Sequence, residues 1–173
     1  MRSLGIVQTG GRPLCIALAD SIGSWSGYVL ITEQLIETIV NEDGVRFAVL
    51  QLTVGQCEVL ASQVELAIVE ILEAPEGYSL ENGLMDVEGV FVQPEVIKFS
   101  RFGGDVVVFD SGRHGEELEA RYAEQPIELE DDEARVLIGL CVDAGRWSAS
   151  LFEIEQPGLR LKGVWFQLEE AQS

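Results

Sequence analysis

The chain has 173 residues, of which 47% are apolar and 24% are charged, a composition typical of globular domains rather than disordered chains. Its 30 acidic residues face 11 basic ones, and the net charge of −19 argues against binding to nucleic acid or to an anionic membrane surface. The same charge favours a basic protein as partner, although acidity also serves solubility alone.

Length and composition also predict where the protein resides and how it is divided. A chain of this size fits a single domain, residues 1–173, with a subdomain boundary best placed near residues 75–89. The start Met1-Arg2-Ser3 does not resemble a signal peptide, and no run approaches the roughly 18 apolar residues of a membrane span. Cys15, Cys57 and Cys141 are odd in number and have apolar neighbours, which favours buried, reduced thiols and a cytoplasmic location.

The N-terminal quarter predicts two strands joined by a tight turn. Leu4 to Gln8 and Leu14 to Ala19 have strand patterns, and the segment Thr9 to Pro13 between them favours a hairpin, because its two glycines permit the positive φ of a reversal. The polar segment Asp20 to Gly27 is predicted to be a loop that carries Trp25. A tryptophan on a loop either covers the core or contacts a partner.

The next segments leave helix and strand open in two places. Thr32 is a candidate cap for a helix over Glu33 to Val40, with a strand as the alternative. Val45 to Val54 is predicted to be a strand buried on both faces. In Gln56 to Leu72, Ser62 and Glu65 have capping-box spacing, but the alternation of apolar residues favours strands. Ala74-Pro75-Glu76-Gly77 ends this segment.

The remainder predicts a β-rich structure with a short helix. A hairpin is expected in which Val96 to Phe102 returns as Asp105 to Asp110 across Gly103-Gly104, with Phe99 opposite Val108. Further predicted elements are a helix over Glu116 to Tyr122, a strand over Ala134 to Asp143, a turn at Ala144-Gly145-Arg146, and strands over Trp147 to Ile154 and Leu159 to Leu168. A second turn is predicted at Gln156-Pro157-Gly158, between these last two strands. The fold class is therefore α+β, predominantly antiparallel β with one or two short helices.

No motif indicates catalysis, a cofactor or a metal site. His114 is the single histidine, and an acid/base role would pair it with Asp110 or Glu116, but no metal-ligand or nucleophile spacing accompanies it. Gly23-Ser24-Trp25-Ser26-Gly27 does not have the spacing of a nucleophile elbow. We therefore expect no enzymatic activity.

Acidic residues dominate the segment from 116 to 133. This segment is either a solvated surface or a docking surface for a basic partner. Trp25 is the aromatic candidate for a contact residue, because Trp147 and Trp165 lie in strand patterns and are predicted to be core residues. The predicted partner-binding residues are Trp25, Glu116, Glu117, Glu119, Glu130, Asp131, Asp132 and Glu133, within a run that also includes Glu124 and Glu128.

The stretch Gly10-Gly11-Arg12-Pro13-Leu14, followed by an apolar strand and Trp25-Ser26-Gly27, resembles the opening of bacterial immunity proteins of polymorphic-toxin systems, in particular immunity protein family twenty-one. The resemblance covers about the first third of the chain, with Arg12 placed between the glycines and the proline. It implies a cytoplasmic protein without catalysis of its own that binds and neutralises a toxin, such as a basic nuclease. The alternative is a bacterial β-rich accessory or scaffold domain whose acidity serves solubility only.

Overall fold

The structure is a computed structural model, and it describes residues 1–26, 36–40, 46–51, 55–83, 91–92, 97–124 and 135–171. These residues form mostly antiparallel β-strands with three short helical segments, so the predicted α+β, β-rich class is confirmed. The predictions for Thr32, for Leu52 to Val54, and for Glu128, Glu130, Asp131, Asp132 and Glu133 lie outside the described residues.

The strands are β1 (Arg2–Gln8), β2 (Leu14–Leu18), β3 (Ile36–Val40), β4 (Arg46–Leu50), β5 (Gln56–Ala61), β6 (Glu65–Glu73), β7 (Phe91–Val92), β8 (Ile97–Asp110), β9 (Leu137–Gln156) and β10 (Leu159–Ala171). A 3₁₀ helix covers Ala19–Ser24, and the α-helices are α1 (Leu80–Gly83) and α2 (Gly115–Ala123).

The chain forms two compact units, each assembled from separate segments. The first unit contains Met1–Leu4, Cys57–Gly103 and Val142–Ser173, and the second contains Gly5–Gln56 and Gly104–Cys141. Among the described strands, β1, β5, β8 and β9 have residues in both units. The segment 75–89 lies inside the first unit.

In the second unit, β2 lies between β8 and β4, with β3 beyond β4. β2 is a central strand of this sheet. Its residues Leu14 to Ala17 are all buried, which is the burial pattern of a strand that is covered on both faces. One face of this sheet packs with the 3₁₀ helix and α2 in a core whose buried members among the described residues are Cys15, Ala17, Ile22, Trp25, Phe47, Val49, Val107, Phe109, Leu118 and Leu137.

In the first unit, the strands lie in the order β5, β6, β10 and β9, with β7 beside β9. One core contains Leu60, Ala67, Val69, Leu80, Phe152, Ile154, Leu159 and Leu161. Phe99, Phe102, Trp147 and Phe166 form a separate aromatic cluster, in which the rings of Phe102 and Phe166 are stacked with centroids 5.9 Å apart.

The predicted hairpin between β1 and β2 is wrong. β2 pairs with β4 and β8, while the second half of β1 bonds to Arg135, whose N–H donates to the carbonyl of Ile6 at 2.9 Å. Gly10 and Gly11 do have positive φ, at 61° and 89°. The predicted turn is present, since Arg12 N–H bonds to the Thr9 carbonyl at 3.3 Å, but it does not join a hairpin. Its backbone passes close to Gly55, where a β-carbon would lie 2.5 Å from the nitrogen of Gly11. Thr9 N–H bonds to the Gly55 carbonyl at 2.8 Å and completes this junction.

The predicted hairpin at Gly103-Gly104 is also wrong, since β8 runs unbroken through both glycines. Both have positive φ, at 102° and 81°. A β-carbon on Gly103 would lie 2.3 Å from the carbonyl oxygen of Asp143, so Gly103 permits a close backbone approach rather than a reversal. Phe99 therefore packs with Phe102 and Phe166 instead of pairing with Val108.

Two segments left open between helix and strand are strands where the structure describes them. Ile36–Val40 is a strand paired with β4, so the helix predicted over Glu33 to Val40 is wrong for its described part and the strand alternative holds there. The strand preference for residues 56–72 is confirmed, and Ser62 N–H bonds to the Glu65 carbonyl in a hairpin turn rather than in a helix cap.

The predicted turn at residues 144–146 is absent, because β9 continues through it. Gly145 pairs with Ala171, and a β-carbon there would lie 2.1 Å from the carbonyl oxygen of Glu170. As at Gly103, the glycine serves a close approach between strands. The turn at Gln156-Pro157-Gly158 is confirmed, since it joins β9 to β10.

Candidate functional site

The helix predicted over Glu116 to Tyr122 is present as α2, Gly115–Ala123. It begins after His114, whose extended backbone (φ −86°, ψ 150°) gives the chain its entry into the helix. Glu116 and Glu117 lie in the first turn, where negative charge stabilises the helix dipole by about 0.3–1 kcal/mol each. Leu118 is fully buried and anchors the inner side of the helix in the core of the second unit.

The start of α2 packs tightly on the 3₁₀ helix. A β-carbon on Gly115 would lie 2.3 Å from the carbonyl oxygen of Gly23, so only glycine fits there without movement of the backbone. The Gly115 N–H also donates to the Trp25 carbonyl at 2.8 Å. The helix is therefore held by a backbone hydrogen bond at its first residue, Gly115, and by the buried side chain of Leu118 one turn later.

The three predicted glutamates of α2 have different surroundings. Glu116 is exposed, and among the described residues no cation pairs with it. Glu119 is also exposed, but its carboxylate lies over the 3₁₀ helix, since a β-carbon on Gly23 would lie 2.2 Å from its Oε1. Glu117 accepts hydrogen bonds from Arg113 at 3.1 Å and Arg121 at 2.9 Å. Glu116 and Glu119 thus carry the outward charge, while that of Glu117 is compensated by its two arginines.

A buried carboxylate that the sequence did not predict as a site residue lies just before α2. Asp110 ends β8, and its side chain is 1% exposed. Oδ1 accepts hydrogen bonds from Arg12 Nε at 3.0 Å and from the N–H of Gly112 at 3.0 Å. Oδ2 accepts from Arg12 Nη2 and lies 3.5 Å from Arg113 Nε. The hydrogen bond to Asp110, and then its charge, raise the pKa of Arg12 further above its ordinary value.

These contacts connect five side chains of alternating charge, which we call the charge chain: Arg12, Asp110, Arg113, Glu117 and Arg121. It runs from the turn before β2 to the last turn of α2. Arg12 and Asp110 are 98 residues apart in sequence, so no spacing rule pairs them. The one sequence signal was a charged residue directly after the apolar run of β8.

Trp25 is a core residue, and its interpretation as an exposed contact residue is corrected. Its side chain is 5% exposed, and its ring lies 4.8 Å from that of Phe47 and 5.8 Å from that of Phe109. Its Nε1 donates to the Ser111 carbonyl. The loop predicted over Asp20 to Gly27 is a 3₁₀ helix as far as Ser24, and Trp25 follows this helix with its side chain in the core. Trp147 is fully buried as predicted, and Trp165 is partly buried.

The other candidate residues form no reactive grouping among the described residues. His114 is exposed, while the carboxylate of Asp110, with which an acid/base role would pair it, is bound by arginines and a backbone N–H. Cys15 and Cys57 are buried as predicted, whereas Cys141 is exposed, which corrects the prediction for that residue. Within the described ranges no group of three or more His, Cys, Asp or Glu residues is arranged to hold a metal ion.

Helices of the described part of the chain are all too short or too polar to cross a membrane.

The chain was also compared with known proteins. Comparison of the chain with protein-family models, with curated proteins and with solved structures found no match.

Proposed function

We propose that this chain is a non-enzymatic binding protein that neutralises a basic protein partner through an acidic surface that includes α2. The observation that carries the proposal is the outward side of this helix. It presents Glu116 and Glu119 to solvent, while Leu118 attaches the helix to the core. In a chain of net charge −19, such a surface attracts cationic proteins, raises their association rate and rejects acidic ones.

The more specific proposal is an immunity protein that inhibits a cognate toxin in the bacterial cytoplasm. Its support is the resemblance of Gly10 to Gly27 to immunity protein family twenty-one, together with the acidity that suits the basic cleft of a nuclease. Glu130, Asp131, Asp132 and Glu133 remain predicted members of the same surface.

A growth assay tests this function directly. The chain is expressed together with the protein encoded immediately upstream of its gene, and rescue of growth from that protein's toxicity is the expected result. Absence of toxicity from the upstream protein, or toxicity that the chain does not relieve, contradicts the immunity proposal.

A matched pair of variants then locates the surface. Changing Glu116, Glu119 and Glu124 to Gln removes three negative charges from the α2 side, and changing Glu76 and Glu153 to Gln with Asp143 to Asn removes three from exposed positions of the first unit. Binding to the upstream protein is expected to weaken and to lose salt dependence in the first variant only. Equal effects of the two variants would mean that net charge, and not this surface, determines binding.

The scaffold alternative predicts an exposed apolar patch. Among the described residues the large apolar side chains that are exposed are Val64 and Ile71, at 44% and 37%. Two such side chains do not form an interaction surface of the usual size, so no observation favours this alternative.

A further inference from the structure

We propose that Asp110 and Arg12 are positioning residues for α2: they fix the segment that leads into the helix, so that Glu116 and Glu119 are held in one orientation before a partner arrives. The inference rests on the proposed function for what the helix presents, and on the charge chain for how it is held.

The segment between β8 and α2 is held by hydrogen bonds at consecutive positions. Its four residues, 111–114, include a glycine, an arginine and a histidine, which by themselves specify no single conformation. The backbone is nevertheless fixed: Ser111 N–H bonds to the Pro13 carbonyl, Gly112 N–H to the Asp110 side chain, and Arg113 N–H to the Asp110 carbonyl.

Asp110 is itself anchored from two directions. It pairs with Leu14 in the β2–β8 ladder, and its buried carboxylate receives both Nε and Nη2 of Arg12, a two-bond geometry that is more directional than a single ion pair. Arg113 lies against the same carboxylate and reaches forward to Glu117 on the helix. One buried anion therefore ties the sheet, the connecting segment and the first helical turn together.

This anchoring has a consequence for binding. A surface that is already ordered loses less conformational entropy on association, so its complex forms with higher affinity for the same contacts. Glu117 pairs with two arginines of the charge chain and helps to hold the helix. The adjacent Glu116 is outside the charge chain and is exposed to a partner.

Hydrogen exchange of the free chain tests the positioning role. The variants are Arg12→Gln, Arg12→Lys, which keeps the charge but not the two-bond geometry, and Asp110→Asn, which keeps the size of the side chain. Asp143→Asn, at an exposed position of the first unit, is the control for the loss of one negative charge. We expect amides 116–123 to exchange about ten-fold faster in Arg12→Gln and Asp110→Asn, with a smaller change in Arg12→Lys. Amides of β2 and β10 and the control variant should be unchanged.

Two outcomes overturn the proposal. Unchanged exchange of α2 in both Arg12→Gln and Asp110→Asn would mean that these residues do not hold the helix. Equal acceleration in α2, β2 and β10 in both variants would mean that they stabilise the fold as a whole. Binding of poly-L-lysine at low salt tests the proposed function separately. If neutralising Glu116 and Glu119 weakens this binding no more than neutralising Glu76 and Glu153 does, the α2 surface is not the binding surface. The exchange experiment would still test the positioning role.

Discussion

The indole Nε1 of Trp25 donates a hydrogen bond to the carbonyl oxygen of Ser111 across 2.9 Å, within the core of the second unit. The bond joins the end of the 3₁₀ helix to the segment that precedes α2, and the same ring contacts Phe47 and Phe109. Trp25→Ala is therefore expected to lower the free energy of unfolding by about 3–5 kcal/mol, because it leaves a cavity in the core.

Trp25→Phe separates packing from the hydrogen bond. It keeps an aromatic ring but leaves the Ser111 carbonyl without the indole donor. The free energy of unfolding is expected to fall by about 1 kcal/mol for the lost hydrogen bond, plus a packing loss that is smaller than that of Trp25→Ala. Denaturant unfolding measures both variants, with Val64→Ala at an exposed position as the control. A stability of Trp25→Ala equal to that of the wild type would restore the interpretation of Trp25 as a surface contact residue.

The two adjacent glycines of β8 are expected to respond differently to the same substitution. Asparagine is well tolerated in the primed turns of hairpins, so Gly103→Asn would be nearly neutral if a hairpin formed there. In the continuous strand its β-carbon meets the Asp143 carbonyl, and we expect a loss of about 1–3 kcal/mol from overpacking and backbone strain.

Gly104→Asn is the matched control, because no atom of the described residues lies within 4 Å of a β-carbon at Gly104. It carries only the conformational cost of positive φ. Thermal or denaturant unfolding of the two variants ranks the effects, and a more harmful Gly104 substitution would argue against the close approach at Gly103.

A buried ion pair in the first unit makes a prediction about charge. Lys162 Nζ lies 3.4 Å from the carboxylate of Glu70, whose side chain is 2% exposed, and the two residues are register partners in β6 and β10. Lys162→Met leaves the buried carboxylate without its lysine, and the expected loss of stability is about 3–5 kcal/mol.

Replacing both partners, as in Glu70→Leu with Lys162→Met, is expected to recover most of that loss, because the buried charge is removed together with its lysine. Arg160→Met on the same strand is the control. Its pair with Glu155 is 3.9 Å long and largely exposed, and such pairs contribute about 0–1 kcal/mol. Equal destabilisation by Lys162→Met and Arg160→Met would show that burial of Glu70 adds nothing to the pair.

The three cysteines are expected to differ in reactivity. Cys15 and Cys57 are buried and Cys141 is exposed. Burial, and secondarily the charge of Asp110, raise the pKa of Cys15 well above its ordinary value, so its thiol stays protonated at pH 8. An aromatic disulfide reagent at pH 8 should titrate one thiol rapidly and the others only after unfolding, and Cys141→Ser should abolish the rapid phase.

The same shift has a consequence for stability. The folded state retains the Cys15 proton more strongly than the unfolded state does. Its contribution is therefore complete below the pKa of a free thiol, about 8.5, and declines as the pH rises above that value. The decline of unfolding free energy between pH 8 and pH 10 should be smaller in Cys15→Ala, and an identical decline would contradict the shift.

Local patterns predicted part of this fold well. The alternation in residues 56–72, the turn at Pro157-Gly158 and the helix near Glu116 to Tyr122 depend on neighbours in sequence, and each is confirmed. The errors at Gly103 and Gly145 share one cause. A glycine in an apolar context signals either a reversal or a close backbone approach, and only the position of the opposing strand distinguishes them.

The candidate site was predictable to a similar extent. The acidic character of α2 is visible in the sequence, but the division between Glu116, which faces solvent, and Glu117, which bonds to two arginines, depends on Arg113 and Arg121 being one turn away on either side. Asp110 was missed because its strongest partner, Arg12, is distant in the chain. Trp25 was misplaced because loop composition does not report the direction of a side chain.

The contacts of Thr9, Gly10, Gly11 and Arg12 with Gly55 and Asp110 are all internal to the chain. Each residue of this motif meets a backbone or a buried carboxylate of the same chain. Two proteins that share the motif would thus share a way of joining strands, whatever they bind. A change of partner would therefore appear as sequence differences along α2, while residues 9–13 could stay the same.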